Sequence, residues 1–383
     1  MSPSADRLRT VERGIKGMGL ALARRLFRPR HTAPLHPDAV RRILIIRQHN
    51  QLGDMLCATP LMRAVRARFP MATIALLTSP VNHAVMLHHP ALDEVILFDK
   101  RTFLEKGRLH AVRLFRFVRD LRKWRFDLVL VPATVSMSAT SDLLAYVTGA
   151  PWRIGVGSLE GKENPSAFFY TEAVPLAWAG KGDVHQTVRN LDVARGLGLS
   201  DPGKSLSMAL TQEEREHARS RWFLAQNKPV VAFHVGAGKV PNRWPAERFV
   251  SVITTAVSDL GVDVIMISGP MDELPVRGVT DGLSVPYKLI TNESIRAVAS
   301  CLSWVQLLVS NDTGVMHVGA AVGIPVLSIF GPTDPGQWAP VGPQHCCVKS
   351  TTVDITDIRV EEVVATMRAM LRSTGATAGR NVS

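Results

Sequence analysis

Hydrophobic and polar positions divide the chain into a basic arm and two stretches of regular alternation. In the arm, Val11, Ile15, Met18, Leu22 and Leu26 recur at helical spacing, with Arg13, Lys16, Arg24, Arg25, Arg28 and Arg30 between them. This spacing predicts a basic amphipathic helix, which either lies in a membrane interface or packs its apolar stripe on the rest of the protein. Residues 31–38, with Pro34 and Pro37, read as a linker. Short apolar runs then predict strands at 42–47, 72–78, 95–98 and 128–132, alternating with helices at about 54–69, 104–124 and 138–148. Residues 156–182 are irregular and rich in Gly, Pro and aromatic residues and read as loops, and 184–197 reads as a helix.

Ser200-Asp-Pro-Gly203 breaks the chain, and a second series follows. Its strands are expected at 229–234, 262–268, 307–310 and 326–330, its helices at 246–260, 294–303 and 313–322, with a closing helix at 360–371. Strands alternating with helices pair in parallel through right-handed crossovers. The expected class is therefore α/β, with two Rossmann-like halves. Its divisions are an arm and linker (1–38), an N-terminal domain (39–199), a C-terminal domain (200–350), and a closing helix with its tail (351–383).

Composition narrows the setting. The 383 residues suffice for two cores, and 46% hydrophobic with 20% charged residues fits a folded globular chain. No apolar run approaches the roughly 18–20 residues of a membrane span. The N-terminus lacks a secretory pattern, so a cytoplasmic location is expected. The formal net charge of +12 calls for an anionic partner. Nucleic acid is disfavoured, because no surface interleaving aromatic and basic residues is evident. Cys57, Cys301, Cys346 and Cys347 show no zinc-ligand spacing and are expected to be buried, reduced thiols.

The chemistry-bearing residues gather at the ends of predicted strands. The first strand runs into Arg47-Gln-His-Asn-Gln-Leu-Gly-Asp54, where Gly53 lets backbone approach closely and Asp54 starts a helix, either as its cap or as a reacting group. No GxGxxG is present. Asp312, Thr313 and Gly314 open a helix whose bared N–H groups and dipole suit a diphosphate, with His317 one turn on. The alternative there is an ordinary capped core helix. Lys239 and Arg243 bring cations to the Gly236–Gly238 turn, ahead of Trp244-Pro245, and Phe330-Gly-Pro-Thr-Asp-Pro335 makes a turn at the same edge.

These motifs resemble glycosyltransferase family 9, the ADP-heptose:lipopolysaccharide heptosyltransferases. Residues 43–69 are similar to its opening strand, Gly-Asp and Thr-Pro helix. Residues 234–249 resemble its Gly-Ala turn and Arg-Trp-Pro, and 310–340 its Asn-Asp-Thr-Gly-x-Met-His signature with Phe-Gly-Pro-Thr-Asp-Pro beyond. The resemblance implies a GT-B arrangement, two Rossmann-like domains facing across a cleft, with inversion at the anomeric carbon. It implies no cofactor or metal: an ADP-sugar donor and a lipid-anchored glycan acceptor of the lipopolysaccharide core are the partners. Asp54 matches the catalytic base, and Asp312, Thr313, Gly314 and His317 match residues around the donor diphosphate, beside Gly53. Glu273, with Asp272, matches loosely an acidic residue that binds the donor ribose.

The family often has lysine where this chain has Asn242. Lys239 or Arg243 then takes over its charge, or leaving-group stabilisation is weaker, or the donor differs. An enzyme of this kind would sit peripherally on the anionic inner membrane of a Gram-negative bacterium. Two other readings stand beside it: a sugar-nucleotide epimerase on the same fold, and a non-catalytic membrane-associated sugar-nucleotide-binding protein.

Overall fold

The computed structural model describes residues 35–49, 51–105, 108–181, 184–223 and 228–378, so the amphipathic arm at 11–30 lies outside it. Two sheets carry the fold. The first contains β1 (Arg42–Arg47), β2 (Thr73–Thr78), β3 (Glu94–Leu97), β6 (Leu128–Val131), β7 (Trp152–Leu159), β8 (Lys162–Glu163) and β9 (Glu172–Leu176). Its order is β3-β2-β1-β6-β7-β8, with β9 also paired to β7. A small hairpin, β4 (Leu104–Glu105) and β5 (Arg108–Leu109), stands apart. Helices α1 (Leu52–Leu56), α2 (Thr59–Arg68), α3 (Pro80–Met86), α4 (Lys100–Phe103), α5 (Ala111–Lys123), α6 (Ala139–Val147) and α7 (Gln186–Asp192) belong to this half.

After α8 (Gln212–Trp222) the second sheet assembles from β10 (Val230–His234), β11 (Asp263–Ser268), β12 (Lys288–Thr291), β13 (Leu307–Asn311), β14 (Val326–Phe330) and β15 (Cys346–Lys349). Its order is β12-β11-β10-β13-β14-β15, and every neighbour pair is parallel. Between its strands run α9 (Ala246–Ser258), α10 (Glu273–Thr280), α11 (Ile295–Leu302), α12 (Gly314–Ala321) and α13 (Pro335–Trp338), with α14 (Val360–Ala378) packed last, against α9.

Alternation along each central strand explains the layering. In β1, Ile43 and Ile45 enter one core while Leu44 and Ile46 enter another across the sheet. In β10, Val231 and Phe233 face one layer, and Val230 and Ala232 the other. One apolar cluster runs from Ile43, Met55 and Leu56 to Met316, Val318 and Val326, so the two halves share core packing.

Several expectations change. The helix expected at 54–69 breaks into α1 and α2, because Pro60 resets the start of the second. The helix expected at 104–124 begins only at Ala111, after the β4–β5 hairpin. The irregular stretch 156–182 contains strand: β7 turns into β8 through Glu160 and Gly161, both at positive φ. Helices α8 and α10 and strands β12 and β15 went unread in the sequence. All four cysteines are free, but Cys346 and Cys347 are exposed rather than buried, since β15 is an edge strand.

Candidate active site

Both sheets reverse their winding beside the strand that opens them, β1 lying between β2 and β6 and β10 between β11 and β13. Open α/β sheets bind ligands beyond the carboxyl ends of the strands at such points. Here β1 leads into Asp54, β10 into the Gly236–Gly238 turn, and β13 into Asp312 and Thr313.

Asp54 is not the cap of α1. Gln51 occupies that position, without a side-chain bond, and Asp54 falls inside the helix. Arg47, the last residue of β1, is buried beside it. Its Nε donates to the Asp54 carbonyl at 3.1 Å and its Nη1 to the Pro132 carbonyl at 3.2 Å. Its Nη2 lies 3.6 Å from Asp54 Oδ1. Burial lowers the pKa of Arg47, while the Asp54 charge opposes that shift. The Asp54 side chain is only 8% exposed, yet Oδ1 has no hydrogen-bond partner among the described residues. A buried carboxylate oxygen without a donor is costly, and native structures rarely keep one without a task for it.

Across from α1 stands α12. Thr313 is its N-cap in extended geometry, but the hydroxyl makes no capping bond and sits 3.4 Å from Ser310 Oγ. The first N–H groups of the helix therefore have no side-chain acceptor of their own from the cap. Gly314 is the first residue of α12, where an added Cβ would stand 3.1 Å from Leu52 Cβ. Gly53 meets His317 still more closely, since a Cβ there would fall 2.7 Å from Cδ2 of the ring. These two glycines let α1 and α12 approach.

His317 fills the joint between the helices. It is buried, with its Nδ1 4.0 Å from Cys57 Sγ and its ring edge-on to Trp338 at 6.2 Å. Burial, helped by the nearby His185, lowers its pKa to about 3. It is a neutral imidazole at the seam between the halves. Burial likewise pushes the Cys57 thiol far up, so it holds its proton.

Asn242 is buried at the lip of the second half. Its Nδ2 donates to Asp312 Oδ2 at 2.9 Å and to Thr333 Oγ1 at 3.2 Å. Burial raises the pKa of Asp312, against the hydroxyl of Thr333 and the charge of Lys239. Asn311 holds the neighbouring turn, donating to the Val235 carbonyl at 2.9 Å and accepting from the Trp244 N–H at 3.2 Å. Gly236 is needed there, because a Cβ would fall 1.9 Å from Asp272 Oδ1.

The remaining candidates spread out. Lys239 is exposed and lines a 730 Å³ cleft with Gln337 and Trp338, opposite Ser136, Lys162 and Arg189 of the first half. Arg243 instead donates from Nε to the Ala237 carbonyl at 2.8 Å and borders a separate 320 Å³ cavity with Trp244 and Leu274. The Glu273 side chain is 82% exposed and 3.9 Å from Arg277. Its neighbour Asp272 is the inward one, accepting from the Gly269 N–H at 2.8 Å. The structure thus brings Gly53, Asp54, Gly314 and His317 together, joins Asn242 to Asp312, and sets Lys239 and Arg243 on different cavities. Sequence reading missed Arg47, Asn311, Thr333 and Trp338. Arg47 left the signal of a lone cation closing an apolar strand, and Asn311 and Thr333 lay within the two quoted motifs, while Trp338 left none.

Among the described residues no helix is long and apolar enough to cross a membrane. No group of three or more His, Cys, Asp or Glu among them could hold a metal ion.

Comparison with known proteins bears on the family and the fold. The family model for glycosyltransferase family 9 (heptosyltransferase) matches residues 114–365. Lipopolysaccharide heptosyltransferase 2 of Escherichia coli (strain K12) is 23% identical over 309 residues, 76% of this chain and 83% of that protein. Lipopolysaccharide heptosyltransferase 1 of Pseudomonas aeruginosa (strain PAO1) is 26% identical over 297 residues, 77% of this chain and 80% of that one. The solved structure of the family 9 glycosyl transferase from Veillonella parvula DSM 2008 superposes with a TM-score of 0.75 at 23% identity, covering 87% of this chain and 97% of that one. The E. coli ADP-heptose lps heptosyltransferase II structure gives 0.72 at 19% identity, covering 87% and 99%. These likenesses establish the fold as GT-B, two Rossmann-like domains.

Proposed function

The chain belongs to glycosyltransferase family 9, the heptosyltransferases, and we propose that it moves a heptose or related sugar from an ADP-sugar to a hydroxyl of a lipopolysaccharide core-type acceptor. Asp54 is the general base. It takes the proton of the acceptor hydroxyl as that oxygen forms its bond to the anomeric carbon, with inversion. The bond from that carbon to the diphosphate breaks, and ADP leaves with the electron pair. Its charge is met by the N–H groups opening α12 at Thr313 and Gly314, and by Lys239 of the same half. Arg243 and Glu273 are assigned to the rest of the donor.

The observation that carries this reading is the buried Asp54 carboxylate, whose unbonded Oδ1 lies 3.6 Å from the Arg47 guanidinium, on a helix packed against the start of α12. Asn242 and His317 act by position in this reading. The first holds Asp312 and Thr333 at the donor side, and the second, a neutral imidazole, fixes the spacing of α1 and α12. The reaction needs no cofactor in this reading, and its lipid-anchored acceptor places the enzyme peripherally on the inner membrane of a Gram-negative cell.

The test is ADP release from ADP-heptose, with and without a truncated lipopolysaccharide acceptor. Release should require the acceptor and fall by about 10²–10⁴ in Asp54→Asn, with donor affinity kept. Wild-type turnover retained in Asp54→Asn would remove the base from the mechanism. Isomerised donor formed without acceptor would replace transfer by epimerisation.

A further inference from the structure

Helix α5 turns an apolar and cationic face away from the protein. Val112 and Phe115 are 63% and 68% exposed, one turn apart. Single exposed apolar residues are ordinary, so their neighbours decide what this pair means. At about 100° per residue, Val112, Phe115, Arg116, Arg119, Arg122 and Lys123 share one side of the helix. Leu114, Phe117, Val118 and Leu121 share the other, which meets the protein. There Leu121 is buried, and the Phe117 ring lies 5.4 Å from Phe98 and 5.3 Å from Phe103. The helix carries five cations, Arg113, Arg116, Arg119, Arg122 and Lys123, against one acid, Asp120. Asp120 is bound by Lys123 at 2.8 Å and lies 3.4 Å from Arg119.

The position of the helix matters as much as its face. The ring cluster beneath α5 continues into the wall of a 500 Å³ cavity, lined by Phe98 together with His49, Lys100, Arg101 and Ser138. His49 lies near enough to Asp54 and Lys100 for both charges to act on it. The outward helix, the cavity and the loop that leads from β1 into α1 therefore follow one another across the first half of the molecule.

We infer that α5 is a membrane-contacting element of this protein, inserting Val112 and Phe115 at the headgroup boundary of an anionic bilayer while Arg116, Arg119 and Lys123 meet the lipid phosphates. The inference rests on the reading that the acceptor is lipid-anchored, and it names the surface that brings the cavity to that acceptor. Amphipathic helices bind such interfaces through buried apolar area plus attraction of their cations to acidic lipids. Charge argues against a second copy of the chain as occupant, because two such faces would set like charges opposite one another.

Co-sedimentation of the full-length protein with phosphatidylcholine vesicles, with and without phosphatidylglycerol, tests the inference. Binding should depend on the acidic lipid. It should weaken about tenfold in Val112→Ser/Phe115→Ser, and about tenfold or more in Arg116→Glu/Arg119→Glu. Because other segments remain in these variants, Phe115→Trp gives a direct readout: its added indole emission should be quenched by brominated lipid in acidic vesicles only. Transfer to a soluble, deacylated acceptor should be unchanged in every α5 variant, while transfer to vesicle-embedded acceptor falls with binding.

Wild-type vesicle binding by both double variants, or an unquenched Phe115→Trp indole, overturns the role of α5 and leaves the transferase reading intact. A dimer lost in the variants, with no vesicle binding by wild type, overturns it in favour of self-association. Absence of transfer to any acceptor by wild type removes the transferase reading instead, whatever the vesicles show.

Discussion

At the scale of single residues, burial sets the protonation of the site. Burial holds His317 at about 3, well below its free value of 6.5. Such a histidine takes up its proton in the unfolded chain first. Unfolding therefore binds protons between pH 6.5 and about 3, and stability falls as pH falls through that window. One fully buried histidine contributes a slope of roughly 1.4 kcal/mol per pH unit. Glu214, lowered from 4.5 to about 2 chiefly by its bond from Arg296, acts in the same direction at lower pH. Its contribution is present above 4.5 and lost as pH falls toward 2. Denaturant unfolding between pH 7 and 5 should show the loss, and His317→Gln should lessen it by one histidine's share, since burial also lowers His89 and His185 to about 4. An unchanged slope in that variant would mean that other groups carry the acid sensitivity.

Among elements, α1 and α12 approach closely, and glycine makes it possible. In Gly53→Ala the new methyl would stand 2.7 Å from the His317 ring, so the ring or one of the helices must move. Interior overpacking of this kind costs about 1–3 kcal/mol. We expect a lower Tm and a drop in kcat for transfer larger than the loss of donor affinity, measured by steady-state kinetics beside donor titration. The same contact shows what sequence could reveal. The βα alternation and both strand-end motifs were legible, since buried parallel strands write themselves as apolar runs ending in Gly, Asp or Asn. Strands β12 and β15 were not, because edge strands such as Lys288–Thr291 carry a mixed pattern. Nor could spacing reveal that Arg47 lies against Asp54 or that His317 packs on Gly53, for those pairs are set by how the helices meet.

For the molecule as a whole, Arg296 ties the halves together. From α11 it bonds Glu214 of α8, and it donates to the Ala84 carbonyl of α3 at 2.8 Å. Only 12% of its side chain is exposed, so losing it takes a donor from the Ala84 and Ala209 carbonyls, while Glu214, 28% exposed, keeps the Thr211 N–H. Arg296→Ala should cost about 1–3 kcal/mol and broaden or divide the thermal unfolding transition seen by calorimetry. A sharp transition at the wild-type Tm would show that the shared apolar core alone joins the halves. The seam also holds its own reporter. Trp338 lies half-buried on the cleft wall, edge-on to His317 and lining the same space as Lys239. Nucleotide entering there would displace water from an indole, so donor titration should be followed by intrinsic fluorescence without any label, the signal vanishing in Trp338→Phe.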